Sequence, residues 1–555
     1  MAWMKGMMTM RNKLLPLLLS AVLMCGCAAD SGSQPDSSAV QPADDEVTSK
    51  TGEMIIRDDE LLSADVSDNN RVFYEIFVGS FSDSDGDGIG DIRGIIERFD
   101  YLNDGDPDSG LSLGVEGIWL TPIFESPSYH KYDVADYYAI DDDFGSMDDL
   151  RELIALCHER DVKLILDLPI NHTGITNAWF TEFLAARRAG DTENEYYDLY
   201  SCADSVSVDG RIFAPISGTT EHYECNFSSD MPELNFDSDL ALSLVTDVAE
   251  YYLKMGVDGF RFDAAKYIFL GEESRNVEFW QRYISHLRAV RSDIFTVAEV
   301  WAHDSITEPY FSATSCFNFS MSQLSGHIAA AAKGGDVNRY TSYIEENIAS
   351  VTTQNSDARL ISFIANHDMD RAAGFLTVAS GEMKMAANLY ILTPGAPFIY
   401  YGEEIGIKGS RGSANTDANR RLAMLWGDGD TVSDPEGSTY SADKQINGTV
   451  TQQLSDINSL YNYYKKLIMI RKSNPEIARG EYRSIDFRDT KLGGAVSEYN
   501  GSSVAVLHNT TDEPISVDLS EYIPHRIIRT VIGAGSAELN GSRLTLGGKT
   551  SVILK

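Results

Sequence analysis

The sequence predicts an α/β fold: a (β/α)8 TIM barrel with a subdomain inserted after its third strand and an antiparallel β-sandwich at the C-terminus. Three observations lead there. Between residues 71 and 475, eight near-continuous apolar runs alternate with amphipathic ones. The stretch after the third run is too long for a loop, and beyond residue 480 the pattern changes to short alternating segments. Strands buried on both faces read as unbroken apolar runs, so the alternation implies a parallel sheet covered by helices. A count of eight favours closure into a barrel, and no Gly-rich phosphate fingerprint follows the first run to favour an open doubly wound sheet.

A chain of 555 residues exceeds one ordinary core, and 43% apolar with 10% aromatic content suits folded domains. The formal net charge of −39 argues against nucleic acid or an anionic membrane surface as partner, because phosphates would be repelled. A neutral polymer such as a sugar is tolerated. Oligomeric state is not legible.

Taken in order, the chain opens with a basic Met10-Arg11-Asn12-Lys13, then an apolar stretch from Leu14 to Met24 too short to span a bilayer. It ends in Cys25-Gly26-Cys27 and resembles a bacterial lipoprotein signal (residues 1–27). That resemblance implies cleavage and acylation at Cys27 and display at the cell surface; the alternative is an ordinary secretory signal cut near Ala28 or Ala29. Residues 28–70, rich in Ser, Asp, Gln and Pro, read as a flexible tether. The barrel occupies 71–172 and 237–475. Its strand-like runs are 71–81, 115–124, 162–171, 257–264, 293–301, 315–319, 359–368 and 397–404, with helical patterns at 147–160, 242–256 and 383–395. Residues 173–236 form the insertion and 480–555 the C-terminal β domain. Within the insertion, Cys202 and Cys225 are either a disulfide or two free thiols; Cys157 and Cys316 fall in core-like segments. No cysteine or histidine spacing suggests zinc.

In such a barrel the polar groups at strand C-terminal ends converge on one face. Asp167 and Asn171-His172 end the third run, Arg261 and Asp263 the fourth, Glu299 the fifth, and His367-Asp368 the seventh. One buried carboxylate is as readily a salt-bridged core group as a functional one. Several together repel one another and are costly unless used. Arg261 and Asp263 are two apart on a strand and so share a side, and a guanidinium favours the charged carboxylate that a nucleophile requires. Glu299 sits among Val297, Ala298, Val300 and Trp301, a setting that raises a carboxyl pKa and suits a proton donor.

Four of these segments, DLPINH (167–172), GFRFDAAKY (259–267), AEVW (298–301) and ANHD (365–368), resemble the four short motifs of glycoside hydrolase family 13, the α-amylase family, in order. SPSYHKYDVADYY (126–138), MPELN (231–235) and PFIYYGEEIG (397–406) extend the likeness. The resemblance implies Asp263 as nucleophile, Glu299 as acid/base and Asp368 as transition-state stabiliser. It implies Tyr132 beneath the sugar at the scissile bond, with His172, Arg261 and His367 on its hydroxyls. Asp133 is expected to touch the same sugar or to brace the site, and Lys266 to contact sugars on the leaving-group side.

The loop 83–91 carries oxygen ligands at alternate positions with intervening glycines, which suits a hard cation such as Ca2+. Gly94 stands where an EF-hand places its bidentate glutamate, so an isolated EF-hand is disfavoured. The loop resembles the metal loop of the oligo-1,6-glucosidase branch, implying Asp83, Asp85, Asp87, the Ile89 carbonyl and Asp91 as ligands of a structural ion. A solvated acidic turn is the alternative.

For the substrate, MPELN is closest to the MPDLN of an intermediate group that includes α-amylases. Ala264 stands where valine is associated with α-1,6 specificity, and Tyr267 replaces the histidine usual after Lys266. The reading is endo-acting α-1,4 cleavage of starch or maltooligosaccharides. The alternatives are an exo-acting α-glucosidase, a cyclomaltodextrinase- or neopullulanase-like enzyme, and a starch-binding surface lipoprotein without catalysis. The last predicts eroded carboxylates, whereas Asp263, Glu299 and Asp368 are all present.

Overall fold

The computed structural model describes residues 55–56, 68–523 and 526–555. The signal segment with Cys27 and most of the tether lie outside the described residues. The eight expected strands form the barrel: β1 Phe73–Ile76, β2 Gly117–Leu120, β3 Lys163–Leu168, β4 Gly259–Phe262, β5 Phe295–Ala298, β6 Ser315–Phe317, β7 Leu360–Ser362 and β8 Ala396–Tyr400. All neighbours pair in parallel, and β8 closes on β1 through Tyr400 opposite Glu75.

Alternation along each strand divides the side chains between two cores. Phe73, Trp119, Ile165, Phe295, Val297, Phe317 and Phe398 point inward, and the Phe73 ring stacks on Phe295 at 4.5 Å and on Phe398 at 4.7 Å. Residues between them pack outward on the helices, as Leu164 and Leu166 do against the helix Met147–Glu159 and its Leu150 and Leu153. That helix begins at a capping box, with Ser146 and Asp149 bonded to each other's backbone N–H groups. Space inside the barrel is tight enough to demand glycine at Gly259, where an added Cβ would lie 1.7 Å from the Phe295 carbonyl oxygen.

The insertion holds the helix Ala178–Ala189 and a small antiparallel sheet of Cys202–Ala203, His222–Glu224, Arg211–Pro215 and Ser207–Val208. Cys202 lies opposite Tyr223, so Cys225 is its diagonal neighbour. Such pairs are about 7–8 Å apart, beyond disulfide reach, and both thiols are free.

The C-terminal domain is a sandwich of six-stranded and three-stranded sheets around Leu492, Leu507, Leu544, Leu546 and Val552. The tether reading requires a correction. Ile55–Ile56 is an edge strand of the six-stranded sheet, paired antiparallel to Val531 and Thr530, and Asp68 is held by Arg479 at 2.8 Å. A two-residue β pairing leaves no periodicity to read.

Candidate active site

Register brings the carboxylates together. In the β3–β4–β5 ladder Arg261 stands opposite Asp167 and Val297, so the residues one turn of the pleat further on emerge at the barrel mouth. Arg261, wholly buried, is the hub. Its Nη1 donates to Asp167 Oδ1 at 2.8 Å and to Asp263 Oδ1 at 2.6 Å, while Nη2 lies 3.2 Å from Glu299 Oε2. One guanidinium therefore touches the carboxylates ending β4 and β5. Backbone geometry holds them there. Ala264 adopts a left-handed conformation (φ 48°), unusual for a residue with a side chain, and its N–H donates to Glu299 Oε2 at 3.1 Å while Ala265 N–H donates to the Glu299 carbonyl oxygen at 3.0 Å.

Electrostatics separate Glu299 from Asp368. Burial, with the Asp263 and Asp368 charges nearby, raises Glu299 to about 7 against the pull of Arg261. Burial also pushes Asp368 upward, but His367, Arg421 and Arg261 outweigh it and hold this carboxyl far below the usual range. His367 Nε2 lies 3.0 Å from Asp368 Oδ2, and Arg421 Nη2 donates to Asp368 Oδ1 at 2.8 Å. Burial disfavours charge on His367, yet Asp368 and Glu75 raise it to about 10. Burial pushes Glu75 itself up, with His367 pulling against it.

The mouth opens into a cavity of about 740 Å3 lined by Asp263, Glu299 and Asp368 together with Tyr132, His172, Lys266, Tyr267 and Trp301. His172 Nε2 is buried without a hydrogen-bond partner, which leaves a polar atom free for a ligand beside the carboxylates. Its backbone pairs with Glu233 of MPELN, so the end of the insertion pins this histidine. Tyr132 stacks on His367 at 5.6 Å and donates from its hydroxyl to Asp167 Oδ2 at 2.8 Å.

The other expected residues are held by partners within the protein. Arg261 and His367 lie under the cavity rather than lining it, reaching it through Tyr132, Asp263 and Asp368. Asp133 accepts hydrogen bonds from Ser126 and Ser128 and braces its own loop. Lys266 donates to the Trp301 carbonyl oxygen at 2.7 Å, and Tyr267 packs on Phe227 of the insertion at 4.7 Å. In the acidic loop, Asp83, Asp85 and Asp91 bring one oxygen each within 4.8 Å of the others. Asp87 stands outside that group, its Oδ1 accepting from Ile89 N–H at 2.7 Å.

Sequence reasoning missed Glu75, Phe227 and Arg421. Arg421 is buried and also donates to the His367 carbonyl oxygen at 3.1 Å and to the Tyr129 hydroxyl at 3.2 Å. Neither it nor Phe227 falls in a patterned segment; Glu75 is the one acidic residue within the apolar run 71–81, a legible signal.

Residues 75–480 match the family described as Alpha amylase, catalytic domain. Alpha-amylase 3 of Dictyoglomus thermophilum is 32% identical over 88% of this chain and 93% of its own length. A 4-alpha-glucanotransferase of Thermotoga maritima is 30% identical over 82% of this chain and 98% of its own. Among solved structures, Eubacterium rectale Amy13B superposes with a TM-score of 0.82 at 31% identity, covering 89% of this chain and 96% of that one. With the barrel, the sandwich and the carboxylates at the strand ends, these likenesses establish that the chain is an enzyme of the α-amylase family, glycoside hydrolase family 13.

Proposed function

We propose that the enzyme cleaves internal α-1,4 bonds of starch and maltooligosaccharides with retention of configuration. The observation that carries this reading is the extent of the cavity. Besides Asp263 and Glu299 it is lined by Lys266, Tyr267 and Trp301 and by Tyr129 and Arg421, an extent that supports binding of more than one sugar residue. Asp263 attacks the anomeric carbon as Glu299 gives its proton to the departing glycosidic oxygen. Water deprotonated by Glu299 then hydrolyses the glycosyl ester, releasing Asp263. Asp368, anionic and clamped by Arg421 and His367, faces the positive charge that develops on the sugar ring. His172 Nε2 is a free donor or acceptor for a hydroxyl.

A time course on soluble starch tests the specificity. Mixed oligosaccharides should appear before glucose; glucose alone from the start would refute endo action. Longer chains accumulating from a short maltooligosaccharide would instead favour the glucanotransferase activity named for the Thermotoga relative. Asp263→Asn should lower hydrolysis by at least about 10³-fold, and undiminished activity would refute the mechanism.

Asp83, Asp85 and Asp91 supply only hard oxygen donors on a loop bridged to the segment after β8, where Thr431 donates to Asp83 and Ser433 N–H to the Gly88 carbonyl. That donor set fits a structural Ca2+, with Asp87 and the Ile89 carbonyl as the remaining ligands. The enzyme is further proposed to be tethered to the bacterial surface by acylation of Cys27. Its release from the membrane fraction by Cys27→Ala tests this, and unchanged fractionation would remove the anchor.

A further inference from the structure

His367 is wholly buried and meets an acceptor at each ring nitrogen. Nδ1 lies 2.6 Å from Glu75 Oε1, and the His367 backbone N–H donates to the same oxygen at 3.2 Å. Nε2 lies 2.7 Å from the Tyr132 hydroxyl oxygen and 3.0 Å from Asp368 Oδ2. The direction of each bond follows from what the partners can do. Tyr132 spends its one hydroxyl proton on Asp167, so its oxygen offers a lone pair to Nε2, which must carry a proton. An ionised Glu75 only accepts, so Nδ1 carries one as well.

We propose that Glu75 is a positioning residue of the catalytic centre, holding His367 from inside the barrel as a doubly protonated ring aimed at Tyr132 and Asp368. Glu75 is two residues after Phe73 on β1, so its side chain turns into the barrel as Phe73 does. The cations near His367, Arg421 and Arg261, oppose that charge but do not bond to the ring. Trp119 from β2 meets the ring edge-on at 5.6 Å, and Arg421 from beyond β8 reaches only its carbonyl oxygen. Arg261 from β4 and Asp167 from β3 act on it through Tyr132. Two carboxylates touch the ring itself.

The arrangement gives one polarity to a chain of hydrogen bonds. It runs from His367 to Tyr132 to Asp167, which also accepts from Arg261, the residue that holds Asp263. Glu75→Gln keeps the shape and one acceptor oxygen but removes the charge. The ring then needs a single proton, which Asp368 keeps on Nε2, while Nδ1 accepts from the new amide N–H, so Asp368 loses its adjacent cation.

The proposal rests on the role proposed for Asp368, which His367 clamps, and the test reads two independent quantities. The full chain is labelled with [15N]histidine, and the His367 signal is identified by its loss in His367→Gln. At pH 8 the native protein should show an imidazolium signal. Glu75→Gln should show a neutral ring, with kcat/KM on a maltooligosaccharide lowered about 10–100-fold and partly restored at pH 5.5 as the ring regains its proton. Glu75→Asp retains the carboxylate and should retain the imidazolium signal, and it serves should the glutamine variant not fold. A neutral ring in the native protein or in Glu75→Asp, or an imidazolium persisting in Glu75→Gln, would overturn the proposal. A ring that changes as expected with kcat/KM unmoved would show that the charge clamped onto Asp368 does not matter to the reaction, and would overturn the proposal as well.

Discussion

Replacing Glu299 with glutamine should abolish hydrolysis and, above neutrality, make the enzyme more stable. The carboxyl is buried against Asp263 and Asp368 and is raised from an ordinary value near 4.5 to about 7. Between those values the folded protein keeps a proton that the unfolded chain has lost. Stability therefore declines as pH rises through the window, and the whole effect is present above about 7. Ionising this group in the folded state costs about 3 kcal/mol at pH 8. Glutamine keeps the shape and can still accept from Ala264 N–H, but it has no charge to bury. Denaturation midpoints of the native protein and Glu299→Gln, measured at pH 5 and pH 8, give the comparison. The variant should gain up to about 3 kcal/mol at pH 8 and no more than about 1 kcal/mol at pH 5. A difference that is absent at pH 8, or that grows toward pH 5, would refute the account of the raised carboxyl.

Other consequences follow from the same geometry. Arg421→Met should lower kcat/KM by about 10²-fold, because Asp368 loses the guanidinium that orients it. Arg421→Lys should not rescue it, since one ammonium cannot serve the three acceptors that separate nitrogens now reach; full activity in the lysine variant would show that charge alone suffices. Gly259→Ala should destabilise the barrel by about 1–3 kcal/mol or more, given a Cβ 1.7 Å from the Phe295 carbonyl oxygen, and an unchanged melting temperature would contradict that close approach. A chelator should lower the melting temperature of the native protein and leave Asp85→Asn unaffected, whereas an unchanged native midpoint would remove the cation assignment.

Much of the site was legible because its signals are local. Asp263 and Arg261 share a face through the two-residue period of a strand, and Glu299 sits in an apolar run that foretells its raised pKa. Arg421 carries no such signal. It lies in a segment outside regular strands and helices, and its value comes from three acceptors far away in sequence. Ile55–Ile56 was read as tether because two residues show no period, and only the exposed edge of the C-terminal sheet makes them a strand. The Cys202–Cys225 question was likewise one of register, since proximity in sequence says nothing of which residues stand opposite.

The sequence by itself determined the eight strands, the inserted and C-terminal regions, and the chemical identity of the carboxylates, because periodicity and residue type are properties of short segments. The tertiary structure alone decided how those groups are tuned. Closing β8 onto β1 places Glu75 beneath His367, and the loop after β8 delivers Arg421 to Asp368. Both depend on burial and on contacts between distant segments, where low dielectric and exclusion of water give charges their strength.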